Sequence, residues 1–396
     1  MSAHPASVHF CAFFIFGGMK MKLLLALILI ALYLCPAAHA AEPFTVDAKA
    51  AVLIDADGGR ILFGQNENEM LPMASTTKIM TALIALENAS LDETVRTGKN
   101  ASGVEGTSMY LSVDEELSME HMLYGLMLRS GNDAAVAIAE HIAGSVSDFA
   151  DLMNARAKEL GADATFANPH GLDAEGHRAS ALGLARIMRE AMKHESFRTI
   201  TATKRKVVPW VGNEYSRVLE NKNRLLTSYE GTLGGKTGYT GKAGRCLVFC
   251  AERDGLTLIG VVLGCPTWFD TAERLLDYGF ENFRAEEVFS KGQYAGTVSV
   301  TGGESPSVDA RAAESLSVAV RIDSDTQGNL LLPDAVEAPV FSGQRLGKAQ
   351  IKSDGIVIAE CDLIAAASVE RRSFLRALKR LLTNWSRPPR AGASFG

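Results

Sequence analysis

The motifs that bind metal ions are missing from this chain. Only six of its 396 residues are cysteine, and neither C-x-x-C nor H-E-x-x-H occurs anywhere in the sequence. The common zinc sites need ligands at such spacings. The sequence therefore gives no support for a metal site, and we expect no cofactor.

Cysteines placed to form a disulfide with each other are also lacking. Cys246 and Cys250 lie four residues apart in a predicted strand, and this separation corresponds to about 13 Å, which is too far for a disulfide. We expect the cysteines that follow the first 40 residues to be free, buried thiols. They are Cys246, Cys250, Cys265 and Cys361.

An excess of positive charge is absent from the chain as a whole. The formal net charge is −6, so we expect no nucleic-acid partner. The apolar run at residues 23–34 is shorter than the roughly 20 residues of a membrane span. It follows Lys20 and Lys22 and precedes Ala38-His39-Ala40, which is the pattern of a secretory signal cleaved after Ala40. An uncleaved anchor is the alternative.

What the chain does contain is a serine and a lysine at helical spacing ahead of an apolar run. Pro72 precedes Ser75 and Lys78, and residues 79–86 are almost all apolar, which predicts a buried central helix beginning near Ser75. Residues three apart share a helix face, so the Lys78 amine can reach the Ser75 hydroxyl and, with a lowered pKa, act as its base. A capping serine followed by an exposed lysine would give the same pattern.

Two further short motifs follow along the chain. Ser130-Gly131-Asn132 lies between two apolar helical segments; in a catalytic role Ser130 would relay a proton to a departing amine, and Asn132 would offer its amide to a peptide backbone. Lys236-Thr237-Gly238 opens a predicted edge strand and supplies a cation and a hydroxyl suited to a carboxylate. Each motif alone could be an ordinary turn.

Together, the motifs S-x-x-K, S-x-N and K-T-G resemble those of penicillin-binding proteins and class A β-lactamases. The chain resembles the low-molecular-mass penicillin-binding proteins that are serine-type D-alanyl-D-alanine carboxypeptidases of the peptidase S11 family. The likeness covers about residues 43–385 and includes Asn168-Pro169-His170-Gly171-Leu172. It implies an α/β (α+β) fold of the serine β-lactamase and DD-peptidase type, in which helices flank an antiparallel sheet.

The resemblance also implies an activity, a substrate and roles for individual residues. The activity would be removal of the terminal D-alanine from peptidoglycan pentapeptide stems, and β-lactams would acylate the same serine. The implied roles are acyl-enzyme for Ser75, base for Lys78, proton shuttle for Ser130, substrate backbone binding for Asn132, carboxylate binding for Lys236 and Thr237, and an oxyanion hole from the backbone N–H groups of Ser75 and Tyr239.

Two other functions stay open at this point. A class A β-lactamase carries a glutamate that primes the deacylating water. Between Asn154 and Asp173 the only glutamate is Glu159, without an E-x-x-L-N arrangement, which argues against rapid β-lactam turnover. The other alternative is a non-catalytic β-lactam or peptidoglycan sensor, against which the intact Ser75 and Lys78 argue.

Four segments are expected along the chain. They are a signal peptide at 1–40, a DD-peptidase catalytic domain at 41–284, a small β-rich domain at 285–366 and a basic tail at 367–396. Residues 371–396 carry seven Lys or Arg and no acid, and Phe374, Leu378 and Trp385 fall on one helical face. Such a basic amphipathic helix suits an anionic membrane surface, although docking within the fold is an alternative. The sequence thus predicts an exported protein attached peripherally to the outer face of the cytoplasmic membrane.

Overall fold

The computed structural model of the chain describes residues 44–374 and Leu378. The predicted signal peptide and most of the predicted tail helix lie outside these described residues. Within them, no helix combines the length and the apolar character that crossing a bilayer requires.

A five-stranded antiparallel sheet lies at the centre of the larger, N-terminal part of the structure. Its strands are β1 (Ala50–Asp55), β2 (Ile61–Gln65), β9 (Thr232–Thr240), β10 (Gly244–Arg253) and β11 (Leu256–Leu263). They lie in the order β2-β1-β11-β10-β9, so the first strand of the chain pairs with one that comes much later. Strand β9 forms an open edge of this sheet.

Helices occupy most of the long connection between β2 and β9, and one more follows β11. The helices are α1 (Lys78–Asn88), α2 (Met119–Tyr124), α3 (Asn132–Ala143), α4 (Val146–Glu159), α5 (Ala181–Ala191), α6 (Glu195–Ala202), α7 (Leu225–Ser228) and α8 (Trp268–Asn282). Short strand pairs lie between them. These are β3 (Thr94–Arg96) with β4 (Glu116–Ser118), β5 (Ala164–Thr165) with β6 (Arg178–Ala179), and β7 (Arg205–Val208) with β8 (Arg217–Glu220).

Alternate residues of β1 face opposite sides of the sheet, as the two-residue period of a strand requires. Val52 and Ile54 belong to the large core that the sheet shares with helices α1 to α6. Leu53 points toward α8, where a Cβ on Gly279 would collide with the Leu53 side chain. Helices therefore cover both faces of the antiparallel sheet, and the predicted fold class is confirmed.

Two element boundaries differ from the prediction. Helix α1 begins at Lys78 rather than near Ser75, because Ala74–Thr77 form a single 3₁₀ turn. Lys236 lies in the middle of β9 rather than at its start. The central position of α1 is as predicted, since every residue from Lys78 to Ala85 is buried.

After α8 the chain forms the small all-β region that the sequence predicts. Its strands are β12 (Phe283–Phe289), β13 (Tyr294–Thr301), β14 (Ser307–Ala312), β15 (Leu316–Arg321), β16 (Thr326–Leu331), β17 (Ala335–Glu337), β18 (Arg345–Ser353) and β19 (Ile356–Ala365). Strands β12 and β15 pair with each other, and the remaining strands form a sheet in the order β16-β18-β19-β14-β13-β17. A separate hydrophobic core fills this region. Arg60 Nη1 joins the two regions by donating to the carbonyl oxygen of Ala319 at 2.9 Å.

The cysteines of the described residues are free and buried, as predicted. Burial raises the pKa of the Cys246 thiol to about 11, so this thiol is protonated at neutral pH. A protonated, buried thiol packs as a small apolar side chain.

Candidate active site

Ser75 and Lys78 lie within hydrogen-bond distance at the start of the central helix. Lys78 Nζ is 3.1 Å from Ser75 Oγ, 2.7 Å from Asn132 Oδ1 and 2.5 Å from the carbonyl oxygen of His170. The Lys78 side chain is fully buried, and within residues 44–374 it forms no ion pair. The structure therefore brings together three segments, around residues 75, 132 and 170, on one amine.

The pKa of Lys78 lies well below that of a free lysine. Burial is the main cause, because it disfavours the charged ammonium, and the positive charges of Lys236 and Lys222 act in the same direction. The negative charge of Asp133 opposes them. A neutral amine in this position can accept the proton of the Ser75 hydroxyl. The pair thus has the geometry that a serine and its base require, and the lowered pKa of Lys78 favours the neutral amine.

A chain of hydrogen bonds that the sequence did not predict holds the turn before α1. The Ala167 N–H donates to His177 Nδ1 at 3.0 Å, which assigns the ring proton to Nε2, 2.9 Å from Thr77 Oγ1. Thr77 Oγ1 in turn donates to the Ala74 carbonyl at 2.8 Å. Burial, opposed by Asp173, lowers the pKa of His177 to about 4, so the imidazole is neutral. These bonds fix Ala74, whose φ of +49° is rare for a residue with a side chain.

The loop of residues 168–172 packs against the same turn. Thr81 Oγ1 donates to the Pro169 carbonyl at 2.6 Å, and a Cβ on Gly171 would lie 2.1 Å from the Ala74 carbonyl oxygen. His170 Nδ1 accepts a hydrogen bond from the N–H of Leu172 at 3.2 Å, and this bond orders the loop.

Ser130 lies between the π-helical turn Gly125–Arg129 and α3. Its backbone is left-handed, with φ of +64°, and its carbonyl accepts a hydrogen bond from Thr107 Oγ1 at 2.6 Å. Among the described residues its hydroxyl has no hydrogen-bond partner. The structure therefore places Ser130 two residues before the asparagine that binds Lys78, without connecting its hydroxyl to that amine.

Asn132 joins the buried amine to the loop of residues 105–111. Its Oδ1 accepts from Lys78, and its Nδ2 donates to the carbonyl of Glu105 at 2.6 Å. The carboxylate of the next residue, Asp133, accepts from the Ser108 hydroxyl at 2.6 Å and from two backbone N–H groups of the same loop. The second amide proton of Asn132 has no acceptor among the described residues.

Strand β9 brings the K-T-G motif against the Ser75 turn. A Cβ on Gly238 would lie 2.9 Å from the backbone nitrogen of Ser75 and 3.0 Å from that of Thr76, so this approach requires glycine. Lys236 is 1% exposed, and its Nζ donates to the Thr237 carbonyl at 2.8 Å. The three motifs therefore meet around the Ser75 turn, and the space between Ser75, Asn132 and Lys236 is called the groove.

Tyr239 follows Gly238 and differs from the other predicted site residues in its exposure. Its side chain is 66% exposed, and its backbone lies opposite Arg245 in the β9–β10 ladder. The ring therefore lies outside the buried part of the site, and the predicted oxyanion-hole role concerns only the backbone N–H of Tyr239.

Lys222, in the loop between β8 and α7, is a residue of this site that the sequence analysis missed. Burial first, and the charge of Lys222 second, lower the pKa of Lys236 to about 7, and the same charge acts on Lys78. Lys222 is exposed, so solvent screens its effect. No spacing marks this lysine in the sequence, where it stands alone in a polar stretch.

The groove has the charge of an anion-binding site. Three lysine amines influence one another there, and positive potential in a concave site favours an anionic ligand. Within the described residues, no three His, Cys, Asp or Glu side chains are grouped so that they could hold a metal ion.

Comparisons with known proteins agree with this geometry. The sequence profile of peptidase S11, described as D-alanyl-D-alanine carboxypeptidase, matches residues 37–267, and that of the penicillin-binding protein 5 C-terminal domain matches residues 283–371. D-alanyl-D-alanine carboxypeptidase DacF of Bacillus subtilis is 35% identical over 353 residues, which are 86% of this chain and 90% of the relative. For DacC of Escherichia coli the identity is 32% over 363 residues, covering 86% and 89%.

A solved structure shares the fold over both regions. Penicillin-binding protein 5 from Haemophilus influenzae superposes with a TM-score of 0.74 and 28% sequence identity, covering 83% of this chain and 99% of that one. The catalytic-domain profile alone spans more than half of the sequence. The chain therefore belongs to the peptidase S11 family of D-alanyl-D-alanine carboxypeptidases.

Proposed function

We propose that this protein is a serine DD-carboxypeptidase that removes the terminal D-alanine from peptidoglycan pentapeptide stems through an acyl-enzyme on Ser75. Enzymes of its family act on peptidoglycan peptides and bind β-lactams. The observation that carries the proposal is the contact between the buried Lys78 amine and Ser75 Oγ. A lysine at this distance, with its pKa lowered by burial, is a suitable base for a serine.

In the acylation step, the neutral Lys78 amine takes the hydroxyl proton as Ser75 Oγ attacks the carbonyl carbon of the penultimate D-alanine. The carbonyl oxygen becomes an oxyanion and accepts hydrogen bonds from the backbone N–H groups of Ser75 and Tyr239. Ser130 passes a proton from Lys78 to the nitrogen of the terminal residue as the C–N bond breaks. Free D-alanine leaves, and the remaining peptide stays on Ser75 as an ester.

Substrate binding uses the cationic end of the groove. The terminal carboxylate meets the Lys236 amine and the Thr237 hydroxyl, since charge-assisted hydrogen bonds favour a carboxylate there. Lys222 adds positive charge at the rim. Asn132 offers its free amide proton to the substrate backbone.

Hydrolysis of the ester completes the cycle. A water attacks the ester carbonyl and gives its proton to the Lys78 amine, which the acylation step has left free. The ester bond to Ser75 Oγ then breaks, Lys78 returns the proton to Ser75 Oγ, and the shortened peptide leaves as a carboxylic acid. A β-lactam acylates Ser75 because its amide mimics the D-Ala-D-Ala bond. The β-lactamase alternative is disfavoured because Glu159 is 65% exposed on α4 and pairs with Arg156 at 3.1 Å, so it is engaged at the surface.

The decisive experiment incubates a synthetic pentapeptide ending in D-Ala-D-Ala with the wild type and with Ser75→Ala. The wild type should release D-alanine, and the variant should release none and form no covalent penicillin adduct by intact-protein mass spectrometry. Ser342→Ala, in an exposed loop of the β-rich region, is the matched control and should behave as wild type. Penicillin labelling without D-alanine release would favour a sensor, and release by Ser75→Ala would overturn the mechanism.

We also propose that the protein is exported and held peripherally at a membrane by its basic C-terminal tail. Support comes from the seven Lys or Arg and the absence of acids in residues 371–396. A chain ending at Ser373 keeps Arg371, whose Nε donates to the Ala338 carbonyl at 3.1 Å in the β-rich region. This shortened chain should keep its activity but lose sedimentation with vesicles containing anionic lipid. Undiminished sedimentation would refute the anchor.

A further inference from the structure

A peptide bound in the groove can extend from it in one direction. Along β9, residues 234–238 are buried, whereas Tyr239 and Lys242 are exposed. Because the proposed function places the substrate carboxylate at Lys236, the rest of the peptide has to pass Tyr239. A peptide that adds to an edge strand in extended conformation then reaches the turn between β9 and β10.

A pocket of about 560 Å³ opens at this end of β9. Its lining combines Tyr239 and Trp268 with three basic residues, and none of the lining residues is acidic. The basic residues of this pocket are Lys49, Lys242 and Arg245. Part of a substrate that leaves the groove at Tyr239 would therefore meet a cationic, aromatic surface.

The three cations of the basic pocket have no acidic partners within the described part of the chain. Arg245 Nη1 donates to the Pro266 carbonyl at 2.7 Å, and its guanidinium carbon lies 5.9 Å from the centre of the Trp268 ring. These contacts position the guanidinium, whose other N–H groups have no hydrogen-bond partner within residues 44–374. The Lys49 stem lies against Gly264. Positioned cations without counter-ions favour a carboxylate ligand.

We propose that this basic pocket binds a carboxylate on the peptide stem, upstream of the two D-alanines, and so selects acidic stems. This inference rests on the proposed function. Gly241 comes four positions after Thr237, just past the end of β9, which is about 13 Å of extended chain, and an extended peptide of the same length spans it. Two groups of a peptidoglycan stem present the same ligand: the free α-carboxylate of a γ-linked D-glutamate and the second carboxylate of diaminopimelate.

The test compares four synthetic pentapeptides in which both carboxylates are free, either one is amidated, or both are amidated. The wild type should show the lowest KM when the bound carboxylate is free, with about a two- to five-fold difference per contact. The preference should shrink at high salt, because salt screens exposed charges. The amidation that removes the preference identifies which of the two carboxylates binds.

Variants of the pocket give a second, independent measurement. Lys242→Ala and Arg245→Gln should raise KM for acidic stems by about two- to five-fold without a matching change for the fully amidated stem. Lys291→Ala removes one exposed charge from the β-rich region and serves as the control that keeps the preference. Equal KM values of the wild type for acidic and fully amidated stems would overturn the proposal that the basic pocket binds a carboxylate. The proposed function would not be affected by that result. Absence of D-alanine release from every peptide would instead overturn the proposed function, and the pocket with it.

Discussion

The two regions of the molecule treat charged side chains differently. In the β-rich region, Lys348 pairs with Glu360 at the surface, and Arg345 and Asp362 form an ion pair at 3.0 Å with both side chains about half exposed. In the groove of the helical region, Lys78 is fully buried and no ion pair forms on it within residues 44–374. A buried cation without a partner is unfavourable unless it loses its proton. The contrast supports the proposal that Lys78 acts as a base, whereas the described part of the β-rich region buries no lysine.

Burial alone does not decide whether a charged side chain keeps its charge. The side chains of Arg217 and Glu115 are only 4% and 2% exposed, but they form a bidentate pair with N–O distances of 2.6 and 2.8 Å. Arg217 also donates to the carbonyls of Met109 and Tyr110 at 2.7 and 2.8 Å. This pair holds the loop of residues 105–111 beside the groove. A buried charge with a partner therefore has a structural role, and a buried amine without one is available for chemistry.

The largest effect is expected when the unpaired amine of Lys78 is removed. Lys78→Met has a similar length and no proton acceptor, so it should lower the rate of Ser75 acylation by about 10³-fold or more. The rate is measured by stopped-flow with a fluorescent penicillin and by D-alanine release. Lys348→Met removes a paired lysine from the β-rich region and should leave both rates unchanged. An active Lys78→Met variant would show that another group activates Ser75.

The buried Arg217–Glu115 pair gives a second test, which measures the free energy of unfolding instead of a reaction rate. Arg217→Met leaves the Glu115 carboxylate buried and unpaired, so the free energy of unfolding should fall by about 3–5 kcal/mol. Breaking the exposed pair with Lys348→Met should change it by no more than about 1 kcal/mol. Urea unfolding followed by circular dichroism measures both. The double variant Glu115→Gln/Arg217→Met should recover much of the loss. Without that recovery, the hydrogen bonds to Met109 and Tyr110 rather than the charge pair would dominate.

Local sequence patterns predicted the parts of the site that depend on local spacing. Ser75 and Lys78 are three residues apart in one turn, so their contact follows from helical geometry. The convergence of Asn132 and Lys236 on that turn followed only from the resemblance to a known family. The role of Lys222 has no local signal, because its effect depends on its distance from two amines that the fold brings near it.

Side-chain hydrogen bonds to the backbone explain why one boundary was wrong. Thr76 Oγ1 donates to the Met73 carbonyl at 2.6 Å, and Thr77 Oγ1 donates to the Ala74 carbonyl at 2.8 Å. Such local bonds compete with the α-helical pattern, so the chain forms a 3₁₀ turn before α1.

Packing explains the other boundary. The sequence predicts that Lys236 opens the strand, but Gly235 already lies within β9, where a Cβ would approach the Val248 carbonyl oxygen to 2.2 Å. The close approach of β10 therefore requires a glycine at position 235.

A smaller predicted effect separates the two buried amines, Lys78 and Lys236, by pH. Burial and then the charge of Lys222 lower the pKa of Lys236 to about 7, and the charged form is the one that binds a carboxylate. KM for the pentapeptide should therefore be low below pH 7 and rise as the pH increases past it. The rise in pH at the same time favours the neutral Lys78 that acylation requires, so kcat should not fall in parallel. Steady-state kinetics measured from about pH 5.5 to about pH 9, a range that brackets the Lys236 pKa, separate KM from kcat.

Replacing Lys222, which is exposed, separates the effect of burial on the pKa of Lys236 from the effect of neighbouring charge. Lys222→Met removes a cation near Lys236, so the pKa of Lys236 should rise and the increase in KM should move to higher pH. The shift should be less than about one pH unit, because Lys222 is exposed and its charge is screened. Lys348→Met removes a lysine of the β-rich region and should leave the midpoint of the curve unchanged. If the midpoint does not move in Lys222→Met either, burial alone lowers the pKa of Lys236. The groove then needs no third amine to hold the pKa of Lys236 at about 7.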